Sequence, residues 1–170
     1  MAVLRIRKYG EHILRKKTSR IDYQSIRGSL PRLLSDMCES MESVQGVGLA
    51  APQIGFSLRL AIVDIKPEGE SRRIVLINPE LIGSSGTSEE SEGCLSLPGF
   101  FVKLKRHLRV KIRALNEAGA PMELAGEGLL ARALQHEIDH LDGKLIIDRL
   151  PLYQRIKARY VLRKLRRTWI

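Results

Sequence analysis

Between Ser29 and about Val44 the apolar residues Leu34, Met37, Met41 and Val44 recur at helical spacing, and Pro31 suits a first turn, where its missing N–H costs nothing. The pattern then changes. The runs "LRLAIVDI" (58–65), "RRIVLINP" (72–79), "FFVKLKR" (100–106) and "LRVKIRAL" (108–115) are rich in β-branched residues or alternate apolar with polar positions, which predicts strands. "NEAGAP" (116–121) predicts a turn. Helical spacing returns around "LQHEIDHLDG" (134–143), and a last helix is expected from about Leu152. On the first of these, Leu130, Leu134, Ile138 and Leu141 share one face, whereas Leu129 and Ala133 fall near His136 and His140. One face packs and the other lines a pocket. Strands first and a helix late, without βαβ alternation, predict an α+β class. With no repeat, low-complexity run or linker, residues 1–170 read as one domain that ends in a basic helix over about 152–170.

Composition narrows the setting more than the activity. A chain of 170 residues is long enough to bury about 70% of the surface that its unfolded form exposes, so it needs no staples. Cys38 and Cys94 are too few for a disulfide scaffold, and Cys38 falls among helical core positions. No apolar run approaches the roughly 20 residues that span a bilayer, and "MAVLRIRKYG" lacks the apolar centre of a secretory signal. A cytoplasmic protein without stable membrane insertion is expected. The net charge of +10 points to RNA, DNA, an acidic membrane surface or simply solubility, and cannot choose among them.

His136 and His140 are the first sign of chemistry. Residues four apart on a helix lie one turn apart on one face, so both imidazoles can address one metal ion, with Glu137 beside them. A catalytic site of the zinc type takes three protein ligands and keeps a position for water, so a third donor is needed. A third histidine in the metzincin pattern would stand where Ile146 stands. A downstream glutamate of the thermolysin kind is absent, because no carboxylate side chain follows Asp148. Cys94, in the loop-like "SEGCLSLPG", remains as a ligand or as a buried thiol, and spacing does not decide between them.

Three segments bear on that choice. "GVGLAAPQIG" (46–55), "EGCLS" (92–96) and "QHEIDH" (135–140), in this order, resemble the signature motifs of bacterial peptide deformylase, and the similarity continues through "LINPEL", "VKIRAL" and "GLLARALQHE". The N-terminal "YGEHILR" and the C-terminal tail depart from the family pattern. The resemblance implies antiparallel or mixed sheets packed around a central metal-binding helix, closed by a C-terminal helix. It implies hydrolysis of the N-formyl group of formyl-methionine on new polypeptides, with release of formate. Cys94, His136 and His140 would hold one divalent ion, Fe2+ in the family, with Ni2+, Co2+ or Zn2+ able to take its place. Glu137 would move the proton from water to the departing amine. The side-chain amide of Gln53 and the N–H of Leu95 would face the developing oxyanion. Gly46 and Gly48 would let an extended substrate approach the backbone, with Gly93 beside it, and Val47, Leu129 and Ala133 would wall the methionine pocket.

Two other readings are a metalloprotease of another type and a basic nucleic-acid-binding module. His12 and His107 are expected to be non-ligands, and Arg106 a solvated strand residue. The tail "RIKARYVLRKLRRTWI" carries seven cations and no acid, with Val161, Leu165 and Trp169 expected as its apolar stripe. Formylated chains emerge from the ribosome, so the expected partners are formyl-methionyl nascent peptides and, through this helix, ribosomal RNA rather than DNA. Removing residues from about Leu162 is then expected to weaken ribosome binding and spare activity on short peptides.

Overall fold

The computed structural model describes residues 2–65 and 72–169. Two helices, α1 (Tyr23–Ile26) and α2 (Leu30–Ser43), precede the strands β1 (Gly48–Ala50), β2 (Leu60–Ile65), β3 (Arg72–Ser85), β4 (Ser88–Gly93), β5 (Phe101–Arg106), β6 (Arg109–Leu115) and β7 (Pro121–Glu127); α3 (Gly128–Leu141) and α4 (Leu152–Leu165) follow. Five strands form an antiparallel sheet in the order β1-β2-β3-β6-β7, and β4 and β5 form a separate hairpin. This is the α+β class expected.

The side-chain alternation of β2 places the sheet between two helices. Leu60 and Ile62 pack with Met37 and Met41 of α2, whereas Ala61 and Val63 pack with Ala131, Leu134 and Leu141 of α3. Burying a leucine such as Leu134 contributes about 1.5–3 kcal/mol, so the apolar side of α3 fixes its rotation and turns the histidine side outward. Pro31 sits in the first turn of α2, and Asn116 closes the β6–β7 turn by accepting from the N–H groups of Ala118 and Ala120 at 3.0 and 2.9 Å.

Three strands escaped the hydrophobic pattern. β1 is three residues long, β4 reads "SEESEG", and β7 follows "NEAGAP" directly and runs into α3. A short or polar strand shows no periodic signal, and its pairing partner decides it. The tail also differs from expectation. Ala158 and Leu162 are the buried residues of α4, with Leu165 and Trp169 packed beside them, while Val161 is exposed. Trp169 Nε1 donates to the Pro98 carbonyl at 3.1 Å. Truncation at Leu162 would therefore open a core cluster shared with the Cys94 loop, and cannot serve as a test of surface binding alone.

Candidate metal centre

Three elements deliver the site. β4 ends at Gly93 and hands Cys94 to a tight turn in which Leu97 N–H donates to the Cys94 carbonyl at 2.9 Å. α3 supplies His136, Glu137 and His140, and the turn after β1 supplies Gln53. The Cys94 Sγ lies 3.2 Å from His140 Nε2, which lies 3.1 Å from His136 Nε2, and the three donor atoms are all within 4.8 Å of one another. Tetrahedral ligands at about 2.0–2.3 Å from a shared ion stand roughly 3.3–3.7 Å apart, close to the two shorter separations here, so the set can hold one ion once its widest pair draws in. The thiol of Cys94 therefore sits among metal donors rather than in a purely apolar core. His12 and His107 are not part of this cluster.

Around the donors lies a buried ionic network that the sequence did not disclose. Glu92 Oε1 meets His136 Nδ1 at 2.7 Å, which fixes the ring and leaves Nε2 facing the cluster. Arg106 bridges Glu92, through Nε at 3.1 Å and Nη2 at 2.6 Å, to Asp139, through Nη1 at 2.6 Å. Arg132 donates to Glu92 Oε2 at 3.0 Å and to the Leu104 carbonyl at 3.2 Å, tying α3 to the hairpin that carries Cys94. Arg106 is 4% exposed, so it is a buried strut and not a solvated strand residue. Burial pushes the Glu92 carboxyl up, but hydrogen bonds and charge from His136 and Arg106 outweigh it and hold the group well below the usual carboxylate range. Burial likewise lowers Arg106, and Glu92 and Asp139 more than restore it. Replacing Arg106 by methionine should cost roughly 3 kcal/mol, the lower end for breaking a buried pair, because Arg132 and Arg149 still face the stranded carboxylates. A urea midpoint equal to the parent's would contradict this role.

Glu137 is 2% exposed, its Oε2 has no hydrogen-bond partner among the described residues, and its carboxyl is pushed up to about 7 by burial, aided by Glu92 and Asp139 and opposed by His136 and Arg106. Burial lowers the imidazole of His136, yet Cys94, Glu92 and Glu137 raise it above its ordinary range; burial and the charges of His136 and Arg106 push His140 well below it. Gln53 is equally buried. Its Oε1 accepts from Ala50 N–H at 2.8 Å, which turns Nε2 toward Ser96 Oγ at 3.2 Å and Cys94 Sγ at 3.8 Å.

Gly46, Val47, Gly48, Gln53, Gly93, Cys94, Leu95, Leu129, Ala133, His136 and Glu137 all line one cavity of about 700 Å³, with His140 buried behind it. A Cβ on Gly48 would run into the Glu137 carboxylate, and one on Gly46 would stand 2.9 Å from the Leu95 side chain. The room these glycines leave is thus used first by the chain itself. Among the described residues β1 pairs only with β2, which leaves its other edge open beside the cavity.

The sequence model described as "Polypeptide deformylase" matches residues 3–155. The chain belongs to the polypeptide deformylase family. Among relatives, the peptide deformylase of Thermodesulfovibrio yellowstonii is 50% identical over 151 residues, 88% of this chain and 90% of that one. That of Elusimicrobium minutum is 43% identical over 175 residues, 99% of each. The crystal structure of a peptide deformylase from Legionella pneumophila superposes with a TM-score of 0.89 at 44% identity, covering 98% of this chain and 97% of that one. That from Thermus thermophilus gives 0.87 at 40% identity, covering 95% and 94%. The deformylase fold and enzyme class expected from the three motifs are borne out, and the family's dependence on a metal meets a donor cluster able to hold one. The family match ends at residue 155, so most of α4 lies beyond it.

Proposed function

We propose that residues 1–170 form one catalytic domain that removes the N-formyl group from the formyl-methionine of new polypeptides, with Cys94, His136 and His140 holding a single divalent ion. The observation that carries this reading is the meeting of one thiol and two imidazoles beside the partnerless carboxylate of Glu137, at the floor of a largely apolar cavity. A general metalloprotease accounts less well for the thiol ligand, and a binding module has no use for Glu137. We take the ion to be Fe2+, although thiolate and imidazole also suit Ni2+, Co2+ and Zn2+.

The ion, when bound, acidifies water and polarises the formyl carbonyl. Every other step falls to the chain. Glu137 takes a proton from the attacking water and passes it to the departing amine, so that water and the formamide become formate and a free N-terminus. Gln53 Nε2, already directed by its bonds to Ala50 and Ser96, and the N–H of Leu95 donate to the carbonyl oxygen as its charge grows, both being neutral donors. Val47, Leu129 and Ala133 enclose the methionine side chain, contributing roughly 2 kcal/mol by burial. The open edge of β1, with Gly46 and Gly48 leading into it and Gly93 opposite, pairs with the extended peptide. Anaerobic purification with metal analysis, followed by formate release from a formyl-Met peptide, tests the reading. Cleavage of internal bonds in unformylated peptides instead would overturn it.

The reading puts the enzyme in the cytoplasm, at the ribosome. Among the described residues no helix is long and apolar enough to cross a membrane. Arg159, Arg163 and Arg167 are exposed on or just beyond α4, away from Ala158 and Leu162, where phosphates of ribosomal RNA can reach them. Changing these three to glutamine should weaken cosedimentation with ribosomes and lower the slope of log K against log salt by about 2–3, with turnover of short formylated peptides unchanged. Identical sedimentation of parent and variant across a salt series would remove the docking role.

A further inference from the structure

A second cavity, of about 330 Å³, opens behind α3, on the side away from His136 and Glu137. Gln135 and Asp139 of α3, Lys105, Arg106 and His107 at the end of β5, and Arg149 line it. Its charge is lopsided. The buried carboxylates of Glu92 and Asp139 meet three guanidiniums, those of Arg106, Arg132 and Arg149. Lys105 adds an ammonium with no side-chain partner among the described residues, and His107 an imidazole likewise unpartnered.

The cations are also held in place. Gln135 clamps the main chain of His107 from both sides: its Oε1 accepts the His107 N–H at 3.1 Å and its Nε2 donates to the His107 carbonyl at 2.9 Å. Asp139 holds Arg149 through Nε at 3.0 Å and through Nη2, yet 46% of the Arg149 side chain remains exposed. A guanidinium carries five N–H donors, so Arg149 keeps donors that face the cavity after Asp139 is satisfied.

We propose that this cavity is a binding site for a phosphate group, held by Arg149, Lys105 and His107. A guanidinium fork, a point ammonium and a ring N–H together match a tetrahedral oxyanion carrying more than one negative charge, and a carboxylate would leave donors unused. The bound charge balances the third guanidinium of the network. The cavity is wider than a bare phosphate, which leaves room for the sugar or chain that bears it. That bearer is a small phosphate ester or the backbone of an RNA.

The metal-loaded full chain is titrated calorimetrically at constant ionic strength with inorganic phosphate, and then with a short single-stranded oligoribonucleotide. The Lys105→Gln/His107→Gln variant changes two exposed side chains, and its thermal unfolding verifies the fold. In the titration with inorganic phosphate, the tail variant with Arg159, Arg163 and Arg167 changed to glutamine controls for diffuse charge. Losing charged hydrogen bonds to the anion should weaken phosphate binding in the first variant by about tenfold and leave the second like the parent. Oligoribonucleotide binding weakened by the same pair identifies a polymer as the natural bearer; weakening of phosphate alone identifies a small ester, and either result supports the site. Equal phosphate affinity in parent and Lys105→Gln/His107→Gln, loss of inorganic-phosphate binding in the tail variant instead, or no measurable phosphate binding by the parent overturns it.

Discussion

Replacing Glu137 with alanine should lower formate release from a formyl-Met peptide by about 10²–10⁴-fold while the protein keeps its metal. The separation of the two effects follows from the geometry. Glu137 lines the same cavity as Cys94 and His136 but does not supply one of the three converging atoms, and among the described residues its Oε2 has no hydrogen-bond partner. Its removal therefore strands no partner, and it relieves the desolvation that pushes this carboxyl up to about 7. Stability in urea should be unchanged or slightly raised, which distinguishes loss of a proton carrier from loss of the fold. The decisive pair of measurements is metal content and turnover on one preparation. Near-parent turnover, or metal lost in proportion to activity, would remove Glu137 from its role.

Cys94→Ala should abolish both metal and activity. Removing a residue that merely supports a ligand costs 10–100-fold in metal affinity, so removing a ligand itself should cost more than about 100-fold. The remaining donors, His136 and His140, would also lose the group that His140 faces at 3.2 Å. A stability readout sharpens the test, because an ion that binds only the folded chain raises its apparent stability. Chelator should thus lower the melting temperature of the parent and leave that of Cys94→Ala where it is. A variant that retained one equivalent of metal and still responded to chelator would exclude the thiol from the ligand set.

The long elements were legible because their patterns are local. α2 and α3 fall within a residue or two of their periodicity, and the helical face of His136 and His140 follows from a spacing of four. β1 and β4 were not legible, being respectively too short and too polar to carry a pattern. In the tail, periodicity picked out residues one turn apart but not which stripe meets the body: Val161 was the expected choice and Leu162 is the buried one. Several apolar faces compete on such a helix, and only the opposing surface chooses between them.

The sequence by itself determined the fold class, the pair of histidines on one helical face and, through three motifs in order, the family, since each depends on residue types at short separations. Tertiary structure alone decided that the thiol of Cys94 meets His140 across 46 residues of chain and that Glu92 orients His136 across 44. It also decided the fate of Arg106: an alternating strand predicts which face a side chain takes, but not whether buried carboxylates await it there. Even the divergent N-terminus takes part, as Arg7 N–H donates to the Gln53 carbonyl at 2.6 Å and Tyr9 N–H to that of Ser96 at 2.8 Å, joining two motif loops. Contacts of this kind are backbone bonds between distant segments, blind to side-chain identity. They leave no periodic trace, because the free energy that selects them arises only when the whole chain has closed around the site.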